Sequence, residues 1–212
     1  MPRTAVNLEC GKNLMGAFHQ PVLAVCAPSC LETLPEAEMS CGWAKVIKYA
    51  ALRADGLLPT LEGPVTEEVL ADIISTCVEI KRDIVSEDES RAACALLNLG
   101  HTVGHAVEPV TDYGVTHGRA VGIGMAVIFR GCVRAGLCDP QALPVLEHLL
   151  EKFGLTGLCP YDAEALLEAA RSDKKSAGSA ITLILPEAFG RCRTERTFFE
   201  KLRDLIQLGL NP

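Results

Sequence analysis

The chain has 212 residues, 49% hydrophobic and 22% charged, which is the composition of a globular protein of one domain or one and a half and excludes a disordered chain. Its 20 basic against 27 acidic residues give a net charge of −7, and this excludes a general nucleic-acid binder, which needs a basic face to displace counterions from phosphate. The mean hydropathy of +0.22 is high for a free-standing domain and points to apolar surface meant for a partner or for further chain.

Residues 1–20 carry Gly, Asn, Gln and Pro without helical periodicity and read as loop. The run Pro21–Cys26 (PVLAVC) reads as a short buried strand. From Leu31 the pattern is helical, with Met39, Trp43, Val46, Ile47 and Ala50 on one stripe that ends at Gly56. Thr66–Val85 is an amphipathic helix with acidic residues in its first turn, where the helix dipole favours them. Ser90–Val107 reads as helix too, and His117–Ala135 repeats Gly and Ala at the spacing of a closely packed one. Asp139–Phe153, Asp162–Ser172 and Phe198–Leu208 complete the helices, and only Ala180–Leu185, between Gly178 and Pro186, reads as strand. Residues 1–30 thus read as the tail of an α/β unit and residues 31–212 as a mainly helical domain.

The longest apolar runs fall far below the ~20 residues that span a bilayer. The start of the chain, Met-Pro-Arg-Thr-Ala-Val-Asn, has no apolar signal core, and ten irregularly spaced cysteines without a CxxC pair read as reduced thiols. The expected location is the cytoplasm, with no membrane partner.

Three of the five histidines, His101, His105 and His117, fall within 17 residues. On a helix, His101 and His105 are one turn apart and face the same way. Zinc is commonly held by two ligands close in sequence plus one from elsewhere, so the cluster weighs toward a metal site over a structural group. HxxxH alone is a weak signal, and the glutamate of the HExxH proteases is missing. His19, in a loop, and His148, inside an apolar helix, stand alone and read as structural. Lys12-Asn13 and Asp173-Lys174-Lys175 read singly as solvated turns; converging on the histidines they suit an anionic, polyhydroxylated substrate. No GxGxxG or Walker-A loop occurs, so a complete nucleotide-binding half is not expected in this chain.

GKNLMGAFHQP (11–21), LETLPEAEMSCGWAKVIKYAAL (31–52), DESRAACALLNLGHTVGHAVE (88–108), HGRAVGIGM (117–125) and DKKSAGSAITLILPEAFG (173–190) resemble successive blocks of the 3-dehydroquinate synthase family. They come in the family's order, at close to its spacing, and cover nearly the whole chain. The resemblance implies a mainly α fold: the family's helical, metal-binding C-terminal domain, with a short strand or hairpin element and a residual α/β edge at the N-terminus. The family's N-terminal NAD-binding half has no counterpart among these blocks. The implied activity is that of a carbon–oxygen lyase, which cyclises a seven-carbon keto-sugar acid phosphate (DAHP) to 3-dehydroquinate with phosphate release. This is a step of the shikimate pathway toward chorismate and the aromatic amino acids. The implied cofactors are zinc or cobalt, polarising hydroxyl and carbonyl oxygens, and NAD, transiently oxidising a hydroxyl. Carried over position by position, His101 and His117 are metal ligands, and His105, Lys48 and Asn98 are active-site residues. Lys12, Asn13, Lys174 and Lys175 hold the substrate's polar groups. The implied partners are the sugar acid phosphate and either a second copy of the chain or a complementing NAD-binding half.

Four positions depart from the family pattern. Lys45 stands where AEVIK supplies a glutamate, the family's third zinc ligand; Cys94 replaces an arginine before LNLGHT; Arg3 replaces a lysine; and Arg119 replaces the acidic residue of HGEAV. A lysine ammonium cannot ligate, and its charge opposes a dication. Three readings therefore stand: a synthase or part of one, with partial or impaired activity; a related sugar-phosphate cyclase or metal-dependent alcohol dehydrogenase; or a non-catalytic remnant or split subunit. LNLGHTVGHAVE, GKN and DKK favour the cyclase. An apolar face meant for an NAD-binding half predicts poor solubility or self-association, which a monodisperse monomer in size-exclusion chromatography would contradict.

Overall fold

The computed structural model describes residues 3–8, 11–19, 22–53, 56–87, 95–173 and 180–210. The elements in order are β1 (Arg3–Leu8), β2 (Gly11–Phe18), α1 (Glu36–Leu52), α2 (Leu57–Glu62), α3 (Glu67–Glu87), α4 (His101–Val110), α5 (His117–Arg134), α6 (Ala142–Lys152), α7 (Ala163–Asp173), β3 (Ala180–Ala188), β4 (Arg191–Phe198) and α8 (Phe199–Leu210). Among the described residues no helix is long and apolar enough to cross a membrane.

Helix α5 is the axis of the fold. Its sequence is apolar or small on every side, and residues 120–132 are all buried, as expected of a helix surrounded by others. Helices α1, α4, α6 and α8 pack around it, together with the β3–β4 hairpin. Phe129, Met125, Leu146, Leu149, Leu150, Leu99 and Ile47 are the largest side chains of this core. The core holds one buried guanidinium. Arg130 pairs with Glu147 of α6 at 2.5 Å and donates to the Gly209 carbonyl of α8 at 2.8 Å, so one charge ties three helices. Breaking such a buried pair costs more than an exposed one, because the stranded charge stays desolvated.

Helix α4 crosses α5 antiparallel at a distance only glycine allows. A Cβ on Gly124 would lie 2.1 Å from the Gly100 carbonyl oxygen and 2.8 Å from the Gly104 amide nitrogen.

The helical segments stand where the sequence pattern places them, within a few residues, and two readings change. The stretch around Ser90–Val107 is not one helix. A turn occupies 97–100, where Gly100 takes φ +76°, and α4 starts only at His101; residues 88–94 lie outside the described residues. The helix predicted from Leu31 begins at Glu36, because Pro35 stands at its N-cap with an extended ψ of 143°.

The N-terminal segment also differs from its reading. Residues 1–20, read as loop, contain the antiparallel hairpin β1–β2, with Arg3 opposite Phe18 and Val6 opposite Met15. A strand whose residues do not alternate apolar and polar leaves little trace in a sequence rich in Gly and Asn. The run PVLAVC, read as a buried strand, is neither strand nor buried in its described part: Val22, Leu23 and Val25 are all exposed. An apolar run becomes a strand only where a neighbour pairs with it.

Strand β4 (RCRTERTF) pairs along β3 from Ala180–Phe198 to Ala188–Arg191, although its own residues are mostly polar. Arg193 and Lys201 both pair with Glu195 on its outer side. The hairpin docks on the end of α1 through the Gly190 amide, which donates to the Ala51 carbonyl at 3.0 Å.

Gly124→Ala is expected to lower thermal stability, because a backbone clash of this kind costs about 1–3 kcal/mol. Gly42→Ala, inside α1 with open space around the position, should raise it by about 0.5–1 kcal/mol. Melting curves of the two variants against the parent read both signs.

Candidate functional site

The left-handed turn at Gly100 aims the first turn of α4, and His101 and His105 then project from one face of it. After α4 the chain reverses through Asp112 and Tyr113, both left-handed with φ 50° and 58°. Two backbone bonds close the reversal: Tyr113 N–H to the Glu108 carbonyl at 2.8 Å and Gly114 N–H to the Thr111 carbonyl at 2.9 Å. The reversal starts α5 at His117, directly across from the end of α4. The three imidazoles then form a triangle, with ring centroids 5.5 Å (His101–His105), 5.3 Å (His101–His117) and 5.6 Å (His105–His117) apart.

Two of the rings have a fixed tautomer. His101 Nδ1 lies 3.1 Å from the Leu99 carbonyl, which can only accept, so Nδ1 carries the proton and Nε2 keeps its lone pair. His117 Nδ1 lies 3.0 Å from Glu108 Oε1 and donates to that carboxylate. Glu108 is a site residue that the sequence reading missed. Its signal was present, three residues after His105 and so on the same helix face. Among the described residues, His105, Glu108 and His117 are the group of possible ligands whose donor atoms all lie within 4.8 Å of one another. They open onto a cleft of about 1170 Å³, whose far wall carries Glu168 and Ser172 of α7.

Behind the triangle, Lys48 of α1 is buried, and its Nζ donates to the Leu97 carbonyl at 2.7 Å. Burial, and then repulsion from Lys45 and Lys81, lowers its pKa to about 8. His101 is lowered to about 3, first by burial and then by the Lys48 charge, against the raising effect of the Leu99 carbonyl. His101 is therefore a neutral ring at physiological pH. Asn98 is exposed in the turn before α4, where its carbonyl accepts from the His101 amide at 2.9 Å.

The structure thus brings His101, His105 and His117 together on one side of α4, with Lys48 close enough to His101 to act on its charge, and leaves Asn98 exposed in the turn just before the helix. Lys12 and Asn13 lie on β2, but their side chains are outside the described residues, as are Lys174 and Lys175 altogether. Asp173, the residue before that pair, ends α7, one position after Ser172 of the cleft wall. Lys45 and Arg119 are exposed, and His19 and His148 are exposed away from the cluster. Cys94 lies outside the described residues; of Arg3 only the backbone, on β1, is described.

The chain is similar to known proteins both in sequence and in fold. Residues 2–41 match the family model described as 3-dehydroquinate synthase N-terminal, and residues 42–176 match 3-dehydroquinate synthase C-terminal. The 3-dehydroquinate synthase of Caulobacter vibrioides (strain NA1000 / CB15N) is 40% identical over 203 residues, which are 89% of this chain and 55% of that protein. That of Dehalococcoides mccartyi (strain ATCC BAA-2100 / JCM 16839 / KCTC 5957 / BAV1) is 41% identical over 191 residues, 86% of this chain and 53% of the relative. The chain spans about half the length of the curated relatives it matches. Two solved structures share the fold at 21% identity. One is 2-deoxy-scyllo-inosose synthase complexed with carbaglucose-6-phosphate, NAD+ and Co2+, with TM-score 0.78 over 98% of this chain and 62% of the other. The second is ValA, the 2-epi-5-epi-valiolone synthase of Streptomyces hygroscopicus subsp. jinggangensis 5008 with NAD+ and Zn2+ bound, with TM-score 0.79 over 97% and 61%.

The buried Lys48 makes a signed prediction. Its amine has a pKa near 8 in the fold and 10.5 in water, so between those values the unfolded chain holds more protons and stability rises with pH. Relative to Lys48→Met, the native chain is expected to gain up to about 3 kcal/mol across that range. Urea unfolding of both proteins at pH 7.5 to 10.5 measures it, and parallel pH profiles would refute it.

Proposed function

The chain belongs to the 3-dehydroquinate synthase family, and from that premise we propose that it serves the cyclisation of DAHP to 3-dehydroquinate with release of phosphate. The observation that carries this reading is the triangle of imidazoles at the mouth of a cleft, backed by the buried cation Lys48. Two histidines and a carboxylate within 4.8 Å suit a divalent metal of borderline softness, zinc or cobalt. In the reading taken from the family pattern, His101 and His117 hold it. A metal bound there would supply Lewis-acid polarisation of the substrate's hydroxyl and carbonyl oxygens.

The chain's own side chains have separate tasks in the proposal. His105, which lines the cleft, takes and returns a proton on a substrate oxygen. Lys48 offers a positive charge to the substrate's anionic groups, and its bond to the Leu97 carbonyl fixes where that charge sits. Asn98 contributes an amide beside it. Lys12, Asn13, Lys174 and Lys175 hold the carboxylate and phosphate ends. The sequence carries no glycine-rich loop of the kind that cradles a dinucleotide, so these residues do not by themselves fit NAD. A dinucleotide-binding half, in a longer chain or as a separate partner, belongs to the proposal. The likeness to other sugar-phosphate cyclases, at TM-scores of 0.78 and 0.79, supports a sister substrate as the second reading.

Calorimetry of the zinc-loaded chain with DAHP and with carbaglucose-6-phosphate tests both readings. Binding of DAHP that is at least about tenfold tighter and is lost with EDTA is expected, with phosphate released when NAD is added in the presence of a dinucleotide-binding half. Preference for carbaglucose-6-phosphate moves the assignment to the sister cyclases, and binding of neither overturns it.

A further inference from the structure

We infer that Glu108 is the positioning residue of His117: its carboxylate holds Nδ1–H, leaves Nε2 as the nitrogen that can ligate, and gives the metal centre a negative charge from outside the ligand set. This rests on the metal-binding reading above, in which His101 and His117 are the ligands, and adds what keeps one of them in place.

Three observations carry it. His117 Nδ1 lies 3.0 Å from Glu108 Oε1, and an ionised carboxylate only accepts, so the proton is on Nδ1 and the lone pair on Nε2. His101 is held the same way by the Leu99 carbonyl at 3.1 Å, so the two assigned ligands present the same nitrogen. The rings differ in what else restrains them. The His117 side chain is 44% exposed, so packing does not fix its ring, whereas the carboxylate that holds it is only 19% exposed. The backbone keeps the pair in register. The Glu108 carbonyl accepts from the Tyr113 amide and the Thr111 hydroxyl at 2.8 and 2.9 Å, in the reversal that starts α5 at His117.

Charge points the same way. On the α1 side of the cluster the charges are positive: Lys48 acts on His101, and Lys45 acts on Lys48. Lys45 also stands where the family pattern supplies a glutamate. A dication held by neutral imidazoles near these cations is repelled unless an anion lies close by. Glu108 lies one hydrogen bond from a ligand. A carboxylate that accepts from Nδ1–H raises the basicity of the ring's other nitrogen and fixes the plane of the ring. The Leu99 carbonyl orients His101 but brings no charge. The two ligands are therefore not equivalent, and His117 is the one whose strength depends on a removable side chain.

Two readouts on the whole chain test this, and neither depends on turnover. NMR of the histidine ring nitrogens without metal, at about pH 7.5 where an ordinary imidazole is mostly neutral, reads the tautomers. Zn²⁺ titration reads affinity. The parent is expected to carry Nδ1–H on both His101 and His117. Glu108→Ala is expected to move His117 alone toward the Nε2–H form, with His101 as the internal control, and to weaken Zn²⁺ about 10–100-fold, the usual loss for an outer-shell partner. An unmoved His117 tautomer or an unchanged Zn²⁺ affinity overturns the inference. So does a loss well beyond about 100-fold with altered Co²⁺ absorption bands, which makes Glu108 a ligand. If Glu108→Ala does not fold, Glu108→Gln, which keeps the shape and removes the charge, decides instead: Zn²⁺ weakened about tenfold supports the assignment, and an affinity equal to the parent's refutes it. A parent chain that binds no Zn²⁺ fails the metal reading itself, and the ring nitrogens then decide the role of Glu108 on their own.

Discussion

The approach of α4 to α5 at Gly124 is the contact from which the site follows. With no side chain there, the Gly100 carbonyl sits almost on the α5 backbone, and the two helices run antiparallel in a fixed register. Gly100 then faces Gly124, Gly104 faces Ala120, and Glu108 meets His117. Such close packing is intolerant of an added methyl group and leaves little freedom to slide. The histidine triangle is thus set by two helix backbones rather than by flexible side chains. Preorganisation of this kind is what a metal centre or a reacting substrate requires.

The electrostatics of the cluster run against the charge of the whole. The chain is acidic at −7, yet Lys45, Lys48 and Lys81 gather their charges around the α1 side of the site. Lys48 is kept buried at a desolvation cost that its bond to the Leu97 carbonyl and its place over the Tyr49 ring offset in part. An apolar residue there would carry no such cost, so folding alone does not account for the lysine. Burial, and then the Lys48 charge, lowers His101 in turn.

Much of the helical domain was legible in the sequence because its signals are local. The stripe of Met39, Trp43, Val46, Ile47 and Ala50, the acidic start of α3 and the small-residue spacing of α5 each report a helix face directly. The one-turn spacing of His101 and His105 likewise announced that they would point together. What escaped carries weak or misleading local signals. The β1–β2 hairpin and the polar strand β4 pair with sequence neighbours but lack the alternating apolar pattern that marks a strand, and the exposure of Val22, Leu23 and Val25 depends on what covers that run in three dimensions. Glu108 escaped for another reason: in HTVGHAVE it looks like an ordinary solvated helix residue, and only the Asp112–Tyr113 reversal turns His117 back onto it.

The Arg130 clamp bears on how the chain reaches this structure. Its acceptor on α8, the Gly209 carbonyl, is 79 residues away in sequence, near the last described residue. Helix α5 carries four glycines and so has weak local propensity, and its apolar flank and its guanidinium wait for α8 before they are covered. Contacts this distant slow folding, since loop closure precedes any gain from them. During synthesis the core helix is complete on the ribosome while the segment that seals it is still untranslated. That interval leaves a charge unpaired and an apolar face uncovered, the kind of transient surface from which aggregation starts.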